Sequence, residues 1–157
     1  MKTLLAGLLV ACFALSASAR IGETPEECKA RYGEPMKNGE NWDFVKNGYR
    51  ITLHFYAKRV YFIEFNRIGG KNASVGWGGE LSENEIESLL ASNVGKGEWK
   101  KMETQRLTTD REWFCEESLR HAQYSAIHHV LSSSTLEWIA REDEEKKRKE
   151  DKNLDGL

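Results

Sequence analysis

The 157-residue chain predicts an α+β fold: two helix-plus-antiparallel-β-meander halves, with room for a diverged tandem repeat. Three observations carry this. Thr24-Pro25-Glu26-Glu27 and Ser82-Glu83-Asn84-Glu85 are both capping boxes, the pattern that opens a helix. Tyr49 to Tyr56 alternates with period two, as a strand with one buried face does. Ile68 to Gly79 holds five glycines, and its stretch 69–79 reads as a connection between halves 20–68 and 80–140. The spacing repeats in outline, since Thr24 precedes Trp42 by eighteen residues and Ser82 precedes Trp99 by seventeen.

Residues 1–19 read as an export signal. Lys2 supplies the positive start, Leu4 to Leu15 an apolar run too short for a permanent anchor, and Ala17-Ser18-Ala19 a small–x–small cleavage site. A second reading stays open: Leu9-Val10-Ala11-Cys12 fits the pattern before a lipidated cysteine, which would tether the chain to a membrane.

In the first half, Thr24 accepts from the third helical N–H, Pro25 occupies the first-turn position, and Gly33 and Pro35 end the helix after about two turns. Asn41 to Lys46 is an aromatic-rich strand, and Asn47-Gly48 is a strong hairpin signal. Tyr49, Ile51, Leu53 and Phe55 then take one face, and Arg50, Thr52, His54 and Tyr56 the other. A turn at Ala57-Lys58 leads into Arg59 to Asn66, with Tyr61, Ile63 and Phe65 expected inward and Glu64 outward.

In the second half, Ile86, Leu89, Leu90 and Val94 form an apolar helical stripe that Gly95 and Gly97 terminate. Weaker strand signals occur at Glu98–Met102, Arg111–Glu116, His121–Ile127 and Thr135–Ala140. From Arg141 to Lys152 every residue is charged, with acids preceding bases by four. Residues 141–157 therefore read as a solvated tail, wholly or partly helical.

Removing residues 1–19 leaves 138 of the 157, one domain's worth, and lowers the basic count from 23 to 22 against 25 acids. This mild acidity, without a basic patch in the body, argues against a nucleic-acid partner. Cys28 and Cys115 remain. In an oxidising compartment they are candidates for a disulfide closing a long loop, worth about 4.5 kcal/mol in the chain-entropy model, or else for two separately buried thiols.

Gly22-x-Thr24, a short helix, Tyr32-Gly33-x-Pro35 and then a hairpin ending in Tyr49-Arg50-Ile51-Thr52-Leu53-His54-Phe55 resemble the SmpA/OmlA (BamE) outer-membrane assembly lipoproteins and the wider β-lactamase-inhibitor-protein-like (BLIP-like) fold group. The resemblance spans residues 21–66. It implies tandem helix-plus-sheet halves and a concave sheet face that grips a protein partner. It does not extend to the Gly-rich connection.

Candidate chemistry is sparse. His54, His121, His128 and His129 do not combine into ligand spacing, since His121 and His129 in one strand would stand about 27 Å apart; no metal or other cofactor is expected. Cys115 lacks a nucleophile's surroundings, and Gly69-Gly70-Lys71-Asn72 lacks a phosphate loop's spacing. A binding face remains. Trp42, Arg50, His54, Tyr56 and Trp77 are expected to point away from the core, and they are of the types enriched at interface hot spots. The expectation is an exported, non-catalytic protein of the bacterial periplasm, envelope or secreted space that binds a protein or envelope component. Its alternatives are a structural lipoprotein anchored at Cys12 and a cell-envelope hydrolase using His121 and Glu116.

Overall fold

The computed structural model describes residues 20–38, 41–70, 78–103 and 110–154; residues 1–19, Cys12 among them, and Trp77 lie outside these. The described residues form, in chain order, α1 (Pro25–Tyr32), β1 (Met36–Asn38), β2 (Asn41–Lys46), β3 (Tyr49–Tyr56), β4 (Arg59–Arg67), α2 (Glu83–Asn93), β5 (Lys100–Lys101), β6 (Arg111–Cys115), β7 (Arg120–Ser125), β8 (Val130–Thr135) and α3 (Leu136–Leu154). The strands make one antiparallel sheet in the order β1-β2-β3-β4-β8-β7-β6-β5. The meanders β1–β4 and β5–β8 thus meet through their last strands, with Glu64 opposite Ser132 and Phe62 opposite Ser134.

Local chemistry explains the helices. Both capping boxes close as the sequence indicates: Thr24 with Glu27, and Ser82 with Glu85. Gly33 terminates α1 at φ 89°, a region that costs glycine little. The Asn47-Gly48 turn has both residues at positive φ, as does the Ala57-Lys58 turn, where neither residue is glycine. Gly79 bridges to Arg67, and a Cβ there would sit 2.1 Å from the Gly69 carbonyl oxygen, so this approach requires glycine.

One face of the sheet carries the core. Phe44, Ile51, Leu53, Val60, Ile63, Phe65, Trp113, Ala122, Tyr124 and Leu131 are buried there with Cys28 and Tyr32 of α1 and Ile86, Leu89 and Leu90 of α2. Each large apolar side chain so enclosed contributes about 2 kcal/mol of transfer free energy. The opposite, outer face meets α3 near β4 and β8. Among the described residues no helix is long and apolar enough to cross a membrane.

Four expectations change. First, Thr135–Ala140 is not a strand: Thr135 ends β8 and its Oγ1 accepts from Trp138 N (3.4 Å), capping a helix that starts at Leu136. Second, the strand at Val130–Thr135, with its run of three serines, is central and pairs on both edges. Third, the β3–β4 register shifts between His54 and Phe55: His54 stands opposite Phe62 and Phe55 opposite Val60, with Tyr61 as the extra residue between them. This bulge carries Tyr61 to the outer face and turns Val60 inward in its place. Fourth, Trp42 faces the core. It pairs with Leu53 and packs its ring against Phe55 (5.0 Å between centroids), because it shares strand parity with buried Phe44.

The structure holds Cys28 and Cys115 as two separate buried thiols, not a bridge. Cys28 lies on the helix packed on β2, and Cys115 is in β6, five strands along the sheet. At the usual strand spacing that is on the order of 20 Å, beyond the reach of a disulfide. The Cys115 sulfur meets the Lys96 carbonyl at 3.2 Å. Burial first, then the Glu23 carboxylate, push the Cys28 thiol up to about 12.

Candidate functional site

The outer face is built by register. Opposite-strand pairing places Asp43, Thr52, Glu64, Ser132, Gln123 and Glu112 side by side across six strands, from β2 to β6. Each has at least one buried neighbour along its own strand, so the row must point away from the core. All six are half-buried. Thr52 Oγ1 donates to Asp43 Oδ1 at 2.7 Å, and Ser132 Oγ donates to the Gln123 carbonyl at 3.4 Å. Burial, with Asp43 adding to it, raises the Glu64 carboxyl above the ordinary carboxylate range.

A depression of about 470 Å³ opens beside this row, lined by Glu64, Gln123, Ser132, Asp110, Ile127 and His128 among others. Asp110 Oδ1 accepts from Ala126 N (3.1 Å) and so ties the strand entry to the β7–β8 turn. Ile127, in that turn, is 72% exposed.

An aromatic cluster flanks the row where α3 lands. The Trp138 ring lies 4.8 Å from Tyr61, 5.3 Å from Phe62 and 5.8 Å from His54. Next to it the Arg141 guanidinium sits 3.8 Å from the Tyr56 ring centroid. Burial in this cluster lowers the His54 imidazole below its ordinary range, with Asp43 opposing.

The structure therefore brings Arg50, His54 and Tyr56 to the outer face, as strand alternation indicates, while Trp42 lies on the core side and Trp77 is outside the described residues. Of the hydrolase candidates, His121 lies 3.6 Å from Glu112, whereas Glu116 pairs with Lys100 at 3.2 Å. His128 and His129 are in the turn after β7, not on a strand with His121. Among the described residues no three His, Cys, Asp or Glu side chains gather to hold a metal ion.

Sequence reasoning missed Ser132, Gln123 and Glu112 because their membership depends on which strands become neighbours. It missed Tyr61, Phe62 and Trp138 because one bulge and one cap decide their side. Comparison with known proteins finds no matching family, curated protein or solved structure.

Proposed function

We propose that this is an exported, non-catalytic binding protein that holds a protein or envelope component of the bacterial periplasm or secreted space against the outer face of its sheet. The observation that carries this reading is the polar row from Asp43 to Glu112, which runs across the sheet face that α3 meets along β3, β4 and β8. A row of carboxylates, hydroxyls and an amide, with an aromatic edge and Arg50 exposed nearby, suits a partner bonded through many polar contacts. The likeness of residues 21–66 to the assembly lipoproteins favours the same mode of use. Processing at Ala19 or anchoring through Cys12 gives a free or a tethered form of one binding module.

The two halves are best understood as a diverged tandem repeat. In support, α1 leads into β1–β4, α2 leads into β5–β8, and the sheet order runs outward from β4–β8 in both directions.

Site-specific photocrosslinking in an exporting bacterial host tests the binding reading. A photoreactive residue at Arg50 or Gln123 should give a discrete adduct, and one at Glu87, on the α2 surface, should not. No adduct at either outer-face position would sink it.

A further inference from the structure

The geometry points to a charge pair created by export processing: cleavage before Arg20 frees an α-ammonium group that pairs with the buried carboxylate of Glu23. This rests on the reading of residues 1–19 as a removable export signal.

Glu23 is 9% exposed, which is unusual for a carboxylate. Its Oε1 accepts from Arg31 Nε at 2.9 Å and Nη2 at 2.5 Å. Its Oε2 faces the backbone nitrogen of Arg20 at 3.4 Å, with the Cys28 sulfur at 3.9 Å. One oxygen is thus held by a guanidinium. The other is turned toward the atom that processing would convert from an amide to an amine.

That atom is held in place by the next residues of the chain. Glu23 N donates to the Arg20 carbonyl (3.2 Å), Gly22 N to the Val60 carbonyl (2.7 Å), and Val60 N to the Glu23 carbonyl (2.9 Å). Arg59 Nη1 reaches the Gly22 carbonyl (2.8 Å), and Arg120 Nη2 the Ile21 carbonyl (3.2 Å). The chain is anchored to β4 and β7 from Ile21, the second residue after the cut, so the new terminus starts within reach of Glu23.

The chemistry is peptide hydrolysis. Water adds across the Ala19–Arg20 bond, its hydroxyl going to the Ala19 carbonyl carbon. The Arg20 nitrogen leaves as an amine and takes a proton from solvent. An amide N–H at 3.4 Å is a weak donor. An ammonium brings three donors and a full charge to a carboxylate that is itself buried, and charge-assisted bonds are about twice as strong as neutral ones. The precursor lacks this charge, so the processed domain is the tighter of the two.

The groups around the new amine are Glu23, the Arg20 guanidinium, Arg31, Cys28 and Tyr32 of α1, Arg59 of β4 and Arg120 of β7. The guanidinium groups oppose the amine's charge, and Glu23, whose Oε2 faces it at 3.4 Å, favours it; the pair requires that Glu23 prevails and that the amine holds its proton to higher pH than an ordinary terminus.

The test uses the chain purified from an exporting host. Intact mass first gives its start. Acetic anhydride labelling of the α-amine, read by mass spectrometry across pH, then gives its titration midpoint. An ordinary α-amine titrates at about 8. The pair predicts a native midpoint about one pH unit higher that returns to the ordinary value in urea. Nα-acetylation should also lower Tm by about 3–6 °C, and Glu23→Gln should abolish that difference. If Glu23→Gln does not fold, the labelling midpoint decides alone. An uncleaved chain removes the export reading and the proposal with it, whereas a start at Cys12 leaves export standing and overturns the pair. A start at Arg20 with the same midpoint in native buffer and urea overturns the pair alone.

Discussion

Replacing Arg120 with alanine removes a clamp between three parts of the chain. Its Nη1 donates to the Asn93 carbonyl at the end of α2 (2.6 Å), and its Nη2 to the Ile21 carbonyl (3.2 Å). Gly95, just past that helix end, passes so close that a Cβ would lie 2.8 Å from the guanidinium. Hydrogen bonds from a charged donor contribute about 1.5–3 kcal/mol each, and a cation at a helix C-terminus about 0.3–1 kcal/mol. The full sum is not lost, because Arg120 lines an open depression with Ser88, Ser92 and Arg20, and water can reach the freed carbonyls there. The expected net loss is about 2–3 kcal/mol. Urea denaturation monitored by circular dichroism measures it as a lower midpoint at unchanged slope, about 1–2 M for a slope of about 1.5 kcal/mol/M. Arg120→Lys keeps the charge but not the fork, so it should recover about half. If Arg120→Ala stays within about 0.5 kcal/mol of the parent, the size of surface effects, the clamp carries no energy and the reasoning is wrong.

Two further outcomes are expected. Trp138→Ala should free α3 from the outer face at a cost of about 2 kcal/mol, since three aromatic partners lose a half-buried ring; hydrogen exchange should show the early amides of α3 exposed while the sheet stays protected. The pH dependence of stability should divide between His54 and Glu64. Burial disfavours the charged form of folded His54, so its contribution is complete above the unfolded value of about 6.5 and is lost as pH falls below it. His54→Gln should therefore flatten the decline between pH 7 and 5. Glu64 has the opposite sign. Its raised folded value favours the fold below about 4.5, an advantage lost as pH rises through that raised value. Glu64→Gln should accordingly gain stability relative to the parent at neutral pH and not at pH 4. Parallel pH profiles for the parent and both variants would contradict this assignment.

Much of the fold was legible because it is decided within a few residues. The two capping boxes, the Asn47-Gly48 turn and the alternation from Tyr49 to Tyr56 are local contracts between side chains and their own backbone. They set α1, α2, β2 and β3 with their faces. The placement of Arg50, His54 and Tyr56 on the outer face comes from that alternation alone. Trp42 shares strand parity with Phe44 and so faces the core, although its aromatic character by itself points to an interface.

The α+β class, the helix starts and one two-faced hairpin were determined by the sequence itself, since capping and period-two burial act over three to eight residues. Only the tertiary structure decided the rest. Ser132, Ser133 and Ser134 have little strand preference of their own, yet they lie in the central strand because β4 and β7 offer bonding edges on both sides. The bulge at Tyr61, the separation of Cys28 from Cys115 and the polar row from Asp43 to Glu112 depend in the same way on which strands become neighbours. That choice is made by burying the whole core at once, and no short stretch of chain encodes it.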